Sequence, residues 1–447
     1  MRISGLLIIV VALVVPIYWY SDLAARYSAS ALFSLYLGSA ALIAMSVSQM
    51  LSTRVRGVEM IFGGLDKIYV LHKWLGFGAI IAILLHDTID ADIDGLGRET
   101  ILTEIAETFG EFSLYAFLVL VVITIATIIP YRLWYWTHRF MGALFALSAI
   151  HYLFILKPFA NASPLGIYIA AFCIVGVLCY LYTLIPFDWL QGRHSYKITN
   201  IEKTGDALAV SLSPLKNGLR HKAGQFTFVK FNAPGLSEVH PFTISAAPKL
   251  DRSLRVTIKR LGDYTDKLDG TLKPGAKVTL SNAYGHFHSA KSKTSSIWIA
   301  GGIGVTPFIA WAQTLNTDAG PVDFFYCVHR EGDAAHLSEL QEIVAKKPNL
   351  NLHLIVSEHM PRLSPAQIAA RVETPLKSAH VYFCGPDKMR DSLRAGLGKI
   401  GLKHSHFHVE QFEIRSGLGL LKMAGWIKKL FRAFRGNQTT RSRTNAS

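Results

Sequence analysis

Apolar residues run almost unbroken over six stretches before residue 190, at roughly 3–20, 29–51, 68–87, 111–130, 134–156 and 164–186. A bilayer core about 30 Å thick needs about 20 helical residues, so each stretch is long enough to span it. Beyond residue 190 the texture changes to short alternations, YKITNIE, LAVSL, QFTFVKF, FTISAA, LRVTIKR and KVTLSN. These predict about six strands of a small antiparallel barrel over residues 191–292. Over residues 293–415, SSIWIA, VDFFYCVH, LNLHLIVS and AHVYFCG read as buried strands. They alternate with the helical TPFIAWAQTL, SELQEIVAK, SPAQIAARV and DKMRDSLRAGL, which predicts an α/β domain with a parallel sheet. The expected architecture is a six-helix membrane bundle over 1–190, the barrel, the α/β domain and a tail over 416–447.

Charge orients the bundle. Arg54, Arg56 and Lys67 follow the second run, Arg132 and Arg139 open the fifth, and Arg193 and Lys197 follow the sixth. The positive-inside rule places all of them, and both termini, in the cytosol. Asp87, Asp90, Asp92, Asp94, Glu99, Glu104 and Glu107 are read as an acidic outer loop. The first run, headed by Arg2, is long for a signal peptide and lacks a clear cleavage site. The net charge of +15 suits anionic lipid better than nucleic acid, because much of the excess lies in the cytosolic loops and the tail. Cys173, Cys179, Cys327 and Cys384 form no CxxC pair, which argues against iron–sulfur, structural zinc and disulfide frameworks.

Ionisable groups in hydrocarbon are costly and usually functional. The membrane half carries four histidines, His72 and His86 in the third run and His138 and His151 in the fifth. Spacings of 14 and 13 residues put one pair near each leaflet. Neutral imidazole is an axial ligand of haem iron, so the paired helices suggest two haems b, His72 with His138 inside and His86 with His151 outside. The alternatives are histidines bonded to backbone carbonyls or a path for metal ions. At about 100° per residue, a step of 13 lands roughly 140° off, so the fifth helix is expected to tilt, bulge or change pitch, helped by Gly142.

Three soluble motifs carry further chemistry. In SSIWIA-GGIGVTP, a strand runs through Gly301, Gly302 and Gly304 into a helix opened by Thr306 and Pro307, a turn suited to a pyrophosphate. In HPFTISAAP, Phe242 is placed to stack on a flat ring, the Thr243 hydroxyl to bond a ring nitrogen and His240 to meet a phosphate, although an ordinary strand reads the same way. In RLGDYTDKL, Gly262 and Thr265 open a short helix, and Gly-Asp also marks a plain turn.

Taken in order, these pieces resemble the ferric reductase and NADPH oxidase superfamily over about residues 30–415. The stretch FGGLDKIYVLHKWLG is similar to its bacterial members, and the soluble half resembles ferredoxin–NADP reductase. The resemblance implies an FAD site from His240, Pro241, Phe242 and Thr243, with Gly262 and Thr265 at the pyrophosphate. It implies a nicotinamide-nucleotide site from GGIGVTP and YFCGP, with Cys384, Gly385 and Pro386 near the nicotinamide. Thr243 and Cys384 become the candidate catalytic residues, and Phe412 in the closing strand FHVEQFEIR a cover for the flavin. The implied activity is electron transfer from cytosolic NAD(P)H through FAD and two haems to an outer acceptor. A ferric chelate is preferred and dioxygen, giving superoxide, is the alternative.

Arg330, after the second strand of the α/β domain, is placed for a 2′-phosphate and favours NADPH over NADH. The loop after the fifth run is too short for a large outer cap, and no EF-hand is present. No obligate protein partner is expected. The tail GLGLLKMAGWIKKLFRAFRG reads as an interfacial amphipathic helix, and the preceding His404, His406 and His408 as one face of a strand, with no metal.

Overall fold

The computed structural model describes residues 2–89, 93, 96–125, 129, 131–288, 295–373 and 375–410. It divides into two compact units, one ending at Leu184 and the other beginning at Ile185. Phe412, the 416–447 tail, and Asp90, Asp92 and Asp94 lie outside the described residues.

The first unit is helical: α1 Ile3–Leu23, α2 Ala29–Ser52, α3 Arg56–Phe62, α4 Leu65–Thr88, α5 Ile101–Ile125, α6 Tyr131–Phe154 and α7 Pro164–Leu184. Five of these, α1, α2, α4, α5 and α7, are long and apolar enough to cross a membrane, so the chain is a multi-pass membrane protein. The sixth expected span is not among them. Helix α6 has 24 residues, but Arg139, His138 and His151 break its apolar run. The Arg139 guanidinium donates to the Thr183 carbonyl in the last turn of α7 and lies 5.3 Å from the Trp136 ring. Helix C-termini and aromatic faces both stabilise a cation.

Most of α2 is buried, and its inner face is built of small residues that admit close neighbours. A β-carbon on Gly176 of α7 would come within 2.4 Å of the Phe145 ring and 3.0 Å of the Ser46 Cα. Two details depart from expectation. Helix α5 starts at Ile101 rather than near 111, so Glu104 and Glu107 belong to its first turns and not to a loop. Helix α6 is continuously α-helical across both histidines, so of the expected tilt, bulge or change of pitch it shows no bulge. Gly142 instead makes room for the Tyr180 ring, which a β-carbon there would meet at 2.0 Å.

The second unit opens with a short helix, α8 Phe187–Leu190, and an antiparallel sheet. Its strands are β1 His194–Thr204, β2 Ala207–Pro214, β3 Phe226–Phe231, β4 Val239–Thr243, β5 Leu254–Lys259 and β6 Lys277–Tyr284, in the spatial order β4-β3-β6-β1-β2-β5. The sheet curls back on itself, for Ile244, just past β4, bridges Val256 of β5. Inward residues such as Tyr196, Val210, Val229, Phe231 and Leu280 fill the core. The short helices α9 Asp263–Asp266 and α10 Leu268–Thr271 cover one end through Tyr264 and Leu268.

A parallel sheet follows, from β7 Ser296–Gly301, β8 Val322–Val328, β9 Leu350–Val356, β10 His380–Cys384 and β11 Phe407–Glu410. The helices are α11 Thr306–Thr314, α12 Leu337–Ala345, α13 Pro365–Arg371 and α14 Asp387–Lys399. Strand order is β11-β10-β7-β8-β9. Strands β7 and β10 are neighbours in space whose connections leave in opposite directions. Open α/β sheets bind ligands in the crevice at the carboxyl ends of such a pair. Strand β7 is buried along its whole length, as a central parallel strand covered on both faces should be.

Candidate functional site

The membrane unit pairs its histidines. The rings of His72 and His138 meet edge to face, with centroids 6.0 Å apart and planes at 67°. His86 and His151 line one cavity of about 280 Å³ with Gly38, Gly110, Tyr152 and Lys157 among its walls. Each ring is held through the same nitrogen. His72 Nδ1 donates to the Ser48 carbonyl at 3.0 Å, His86 Nδ1 to the Ser34 carbonyl at 2.9 Å and His151 Nδ1 to the Ala106 carbonyl at 2.8 Å. His138 Nδ1 meets Thr124 Oγ1 at 3.3 Å, and that hydroxyl donates its own proton to the Leu120 carbonyl. All four are therefore Nδ1–H tautomers, with the Nε2 lone pair left for a ligand.

The His86–His151 pair uses one device twice. In a helix the carbonyl of residue i is shadowed by the side chain of i+4. Four residues after Ser34 stands Gly38, and four after Ala106 stands Gly110. A β-carbon at Gly38 would lie 3.2 Å from the His86 ring, and one at Gly110 would lie 2.7 Å from His151 Nδ1. Sequence reading found the histidines but not these supports. The supports leave a faint signal, a glycine inside an apolar helix, where glycine is otherwise unfavourable.

In the barrel, β4 carries the His240–Thr243 motif antiparallel to β3, with Thr243 opposite Phe226. The Thr243 hydroxyl is buried and has no hydrogen-bond partner among the described residues. A buried unpaired hydroxyl costs about 1–3 kcal/mol, so this one calls for a ligand atom. His240 stacks on Tyr264 of α9 at 3.9 Å and bonds Glu238 at 3.1 Å, which joins the first motif to the Gly262–Thr265 turn. Burial lowers the His240 pKa despite Glu238, favouring the neutral ring. The Thr265 hydroxyl accepts from Leu261 N at 2.8 Å and donates to the Gly262 carbonyl at 3.1 Å, so it closes the turn. No atom lies within 4 Å of a β-carbon built on Gly262.

At the switch point, the three glycines after β7 divide their work. A β-carbon on Gly304 would strike the Cys384 carbonyl oxygen at 2.1 Å, and one on Gly301 the Pro386 ring at 2.6 Å. These two let the turn lie against the Cys384–Gly385–Pro386 loop. Gly302 has φ +54° and open space beyond it, a backbone conformation that suits glycine. Of the three, only Gly302 has open space where a β-carbon would stand. Thr306 and Pro307 are buried in the first turn of α11, and Thr306 Oγ1 donates to the Ile303 carbonyl.

Cys384 ends β10, fully buried, and burial pushes its thiol pKa well above the ordinary value. It is a packing thiol rather than a thiolate nucleophile. Across β11 its partner is Glu410, a buried carboxylate overlooked in the sequence. A β-carbon on Gly285 would lie 3.5 Å from Glu410 Oε1, while Tyr284 faces Phe226, the partner of Thr243. Residues near 243, 285, 384 and 410 thus converge, and both candidate catalytic residues belong to one neighbourhood. Arg330 stands apart on the exposed loop after β8, 3.7 Å from Glu358. Of the terminal histidines, His408 bonds His380 at 3.0 Å and stacks on Tyr382. Among the described residues no group of three or more His, Cys, Asp or Glu could hold a bare metal ion.

Comparison with known proteins finds three family models in succession. Residues 37–149 match the ferric reductase like transmembrane component, 191–306 an FAD-binding domain and 298–395 the oxidoreductase NAD-binding domain. The glycine betaine monooxygenase reductase subunit of Chromohalobacter salexigens is 24% identical over 50% of this chain and 65% of its own length. The carnitine monooxygenase reductase subunit of Escherichia coli is 30% identical over 33% of this chain and 44% of its own. The chain thus spans about two thirds or less of these curated relatives. Among solved structures, a flavohemoglobin from Malassezia yamatoensis with bound FAD and heme aligns at a TM-score of 0.48 and 17% identity, covering 88% of this chain and 98% of that one. The FAD/NAD-binding domain of a nitric oxide dioxygenase from Vibrio cholerae aligns at 0.44 and 19%, covering 49% and 98%. Both are likenesses too loose to carry a functional argument.

Proposed function

We propose, for a chain of the ferric reductase-like superfamily that joins a membrane component to FAD- and NAD-binding domains, that it carries electrons from cytosolic NAD(P)H to an acceptor outside. The observation that carries this reading is the set of four membrane histidines. Each is locked as the Nδ1–H tautomer, and they are paired two by two. Outer-shell bonds of this kind orient imidazoles that ligate a metal. Pairs, not triads, suit a macrocycle that supplies the remaining ligands itself. In this reading His72 and His138 hold an inner haem b, and His86 and His151 an outer one. Bound in place, FAD turns a two-electron hydride into single electrons and haem offers them a path across the bilayer.

The chain's own residues do the placing. Thr243 offers its unpaired hydroxyl to the flavin ring, with His240, Pro241 and Phe242 along one side and the Gly262–Thr265 turn at the pyrophosphate. Gly302 and the first turn of α11 receive the nucleotide phosphates. Cys384, Gly385 and Pro386 shape the nicotinamide side, and Glu410 keeps a carboxylate beside it. We place the termini in the cytosol, the protein in the plasma membrane, and the domain limits at 1–190, 191–292 and 293–415.

For the acceptor, Asp87, Glu107 and Glu111 border the outer cavity. They favour cationic iron species and repel anionic superoxide, within the screening length of about 8 Å in physiological salt. Lys157, the nearby cation, is folded back onto the Tyr152 carbonyl at 2.7 Å. We therefore rank ferric-chelate reduction first and dioxygen reduction second. The expected result is ferric-chelate reduction by NADPH that persists without oxygen. Loss of the rate under anaerobic conditions, or its abolition in air by superoxide dismutase, would reverse the order.

NADPH is the proposed donor. A 2′-phosphate would draw Arg330 away from its long contact with Glu358. Arg330→Ala is expected to lower kcat/KM for NADPH by about tenfold, as for one lost charge-assisted pair, and to leave NADH unchanged. Equal use of the two donors by the wild-type protein would reject this assignment.

A further inference from the structure

Beyond the nucleotide crevice, a second polar assembly joins the barrel to the α/β domain. Its hub is Glu339, near the start of α12. Arg255 of β5 grips that carboxylate with both arms, at 2.9 Å and 3.1 Å. His336 Nδ1 reaches it at 2.9 Å, and Gln313 Nε2 at 2.6 Å. Every one of these partners reaches back into the barrel. Arg255 donates to the Ser245 carbonyl at 2.7 Å, and His336 Nε2 meets Thr257 Oγ1, itself 2.7 Å from Ser245 Oγ. The Gln313 side-chain oxygen, Oε1, accepts from Ala247 N at 2.5 Å.

The two ends of this chain of bonds are informative. Ser245 and Ala247 come two and four residues after Thr243, the residue placed at the flavin. Gln313 lies in the last turn of α11, whose first turn is assigned above to the nucleotide phosphates. His336 holds a left-handed backbone, φ +58°, which a non-glycine residue adopts only at a cost. It is 4% exposed and also donates its backbone N–H to Thr204 Oγ1 at 2.6 Å. Burial alone would raise the Glu339 pKa, but the bonds from His336 and Arg255 hold it down at about 2, so the hub stays charged.

We propose that Glu339, with Arg255, Gln313 and His336, is a positioning latch for hydride transfer. It ties the end of the flavin-motif strand to the far end of the nucleotide helix, and so sets the angle at which nicotinamide meets flavin. The proposal rests on the flavin and nucleotide assignments made above. The latch is not what keeps the two domains together. Phe287 stacks on Trp311 at 4.6 Å, and Trp311 Nε1 donates to the Ala223 carbonyl, so the interface survives its loss. A polar cavity of about 280 Å³ borders Arg255, Gln313 and Glu339, leaving room for a shift once the bonds are cut.

The test uses the full-length holoprotein in lipid nanodiscs. Flavin reduction by NADPH is followed by stopped flow in the wild type, Glu339→Gln and Gln313→Leu. Because a misplacement near 1 Å can cost about 100-fold, the limiting rate of flavin reduction is expected to fall on the order of 10- to 100-fold. The NADPH Kd should change less than about threefold, and the isotope effect with 4-deuterated NADPH should rise as hydride transfer becomes limiting. Arg255→Lys, which keeps the charge but not the fork, should fall between. Unchanged limiting rates, or a rate and affinity lost together with flavin content, overturn the latch alone. A wild-type flavin that NADPH fails to bleach overturns the underlying reading and the latch with it.

Discussion

With His86 or His151 replaced by alanine, the purified protein is expected to keep half its haem, still reducible by NADPH, and to lose delivery to the outer acceptor by at least about 100-fold. The reasoning is local. Both rings line one cavity, and each is fixed by a helix-internal carbonyl, Ser34 for His86 and Ala106 for His151. Removing either leaves one imidazole facing a gap that no other histidine can fill, because His72 and His138 are paired with each other. A graded variant sharpens the test. Gly110→Ala puts a β-carbon 2.7 Å from His151 Nδ1, so the ring must turn without being lost. Its expected effect is smaller, about tenfold on outer delivery, within the range for outer-shell changes. Haem content by pyridine haemochrome and reduced-minus-oxidised spectra read both results. Two full equivalents of haem in His86→Ala and in His151→Ala would remove the assignment.

Gly304→Ala is expected to abolish nucleotide-dependent flavin reduction, by about 100-fold or more, while flavin content and reduction by dithionite stay normal. The added methyl would stand 2.1 Å from the carbonyl oxygen of Cys384 and 3.1 Å from Gly385 N. Both obstacles are backbone, so no rotamer change relieves the clash, and overpacking of this kind typically costs 1–3 kcal/mol. The turn and the Cys384–Pro386 loop must separate, which opens the crevice where the nicotinamide is placed. Gly302→Ala is the contrasting case. It meets open space and loses only the ease of a positive φ, roughly 1–2 kcal/mol, so its defect should appear mainly in nucleotide affinity. Stopped-flow bleaching by NADPH, read beside the dithionite control, separates the two. Wild-type kinetics in Gly304→Ala would show that the turn does not need this contact.

Much of the architecture was legible without coordinates, because its signals are local. Long apolar runs can only be spans or buried helices, and the alternations after residue 190 can only bury one face of a sheet. The buried runs SSIWIA and VDFFYCVH could hardly be anything but central parallel strands. The Gly-rich turn, the histidine spacings and the HPFT motif likewise showed in the chain itself, since each packs its chemistry within a few helical turns or one strand. Local signals also misled. The apolar run predicts a span only from about residue 111, with Glu104 and Glu107 in the loop before it, yet both lie on a helix that begins at Ile101. That extension is what brings the Ala106 carbonyl to His151. Conversely, α6 fails the apolar test because it carries Arg139, whose charge is met by a carbonyl of α7 that no reading of one segment could supply.

What only the tertiary structure decided are relations between distant residues. Three glycines in one turn look alike in sequence, but two are filled by the Cys384–Pro386 loop and one is open, because strands 84 residues apart in number are neighbours in the sheet. Glu410 looks like any charged residue near a terminus until parallel pairing sets it beside Cys384. The Glu339 latch draws on positions from 204 to 339, and no period or motif links them. Sequence determines the elements, through hydrogen bonding and burial along a few residues. The partners of a buried charge or an unpaired hydroxyl are set by which elements fold against each other, and only the assembled chain holds that information.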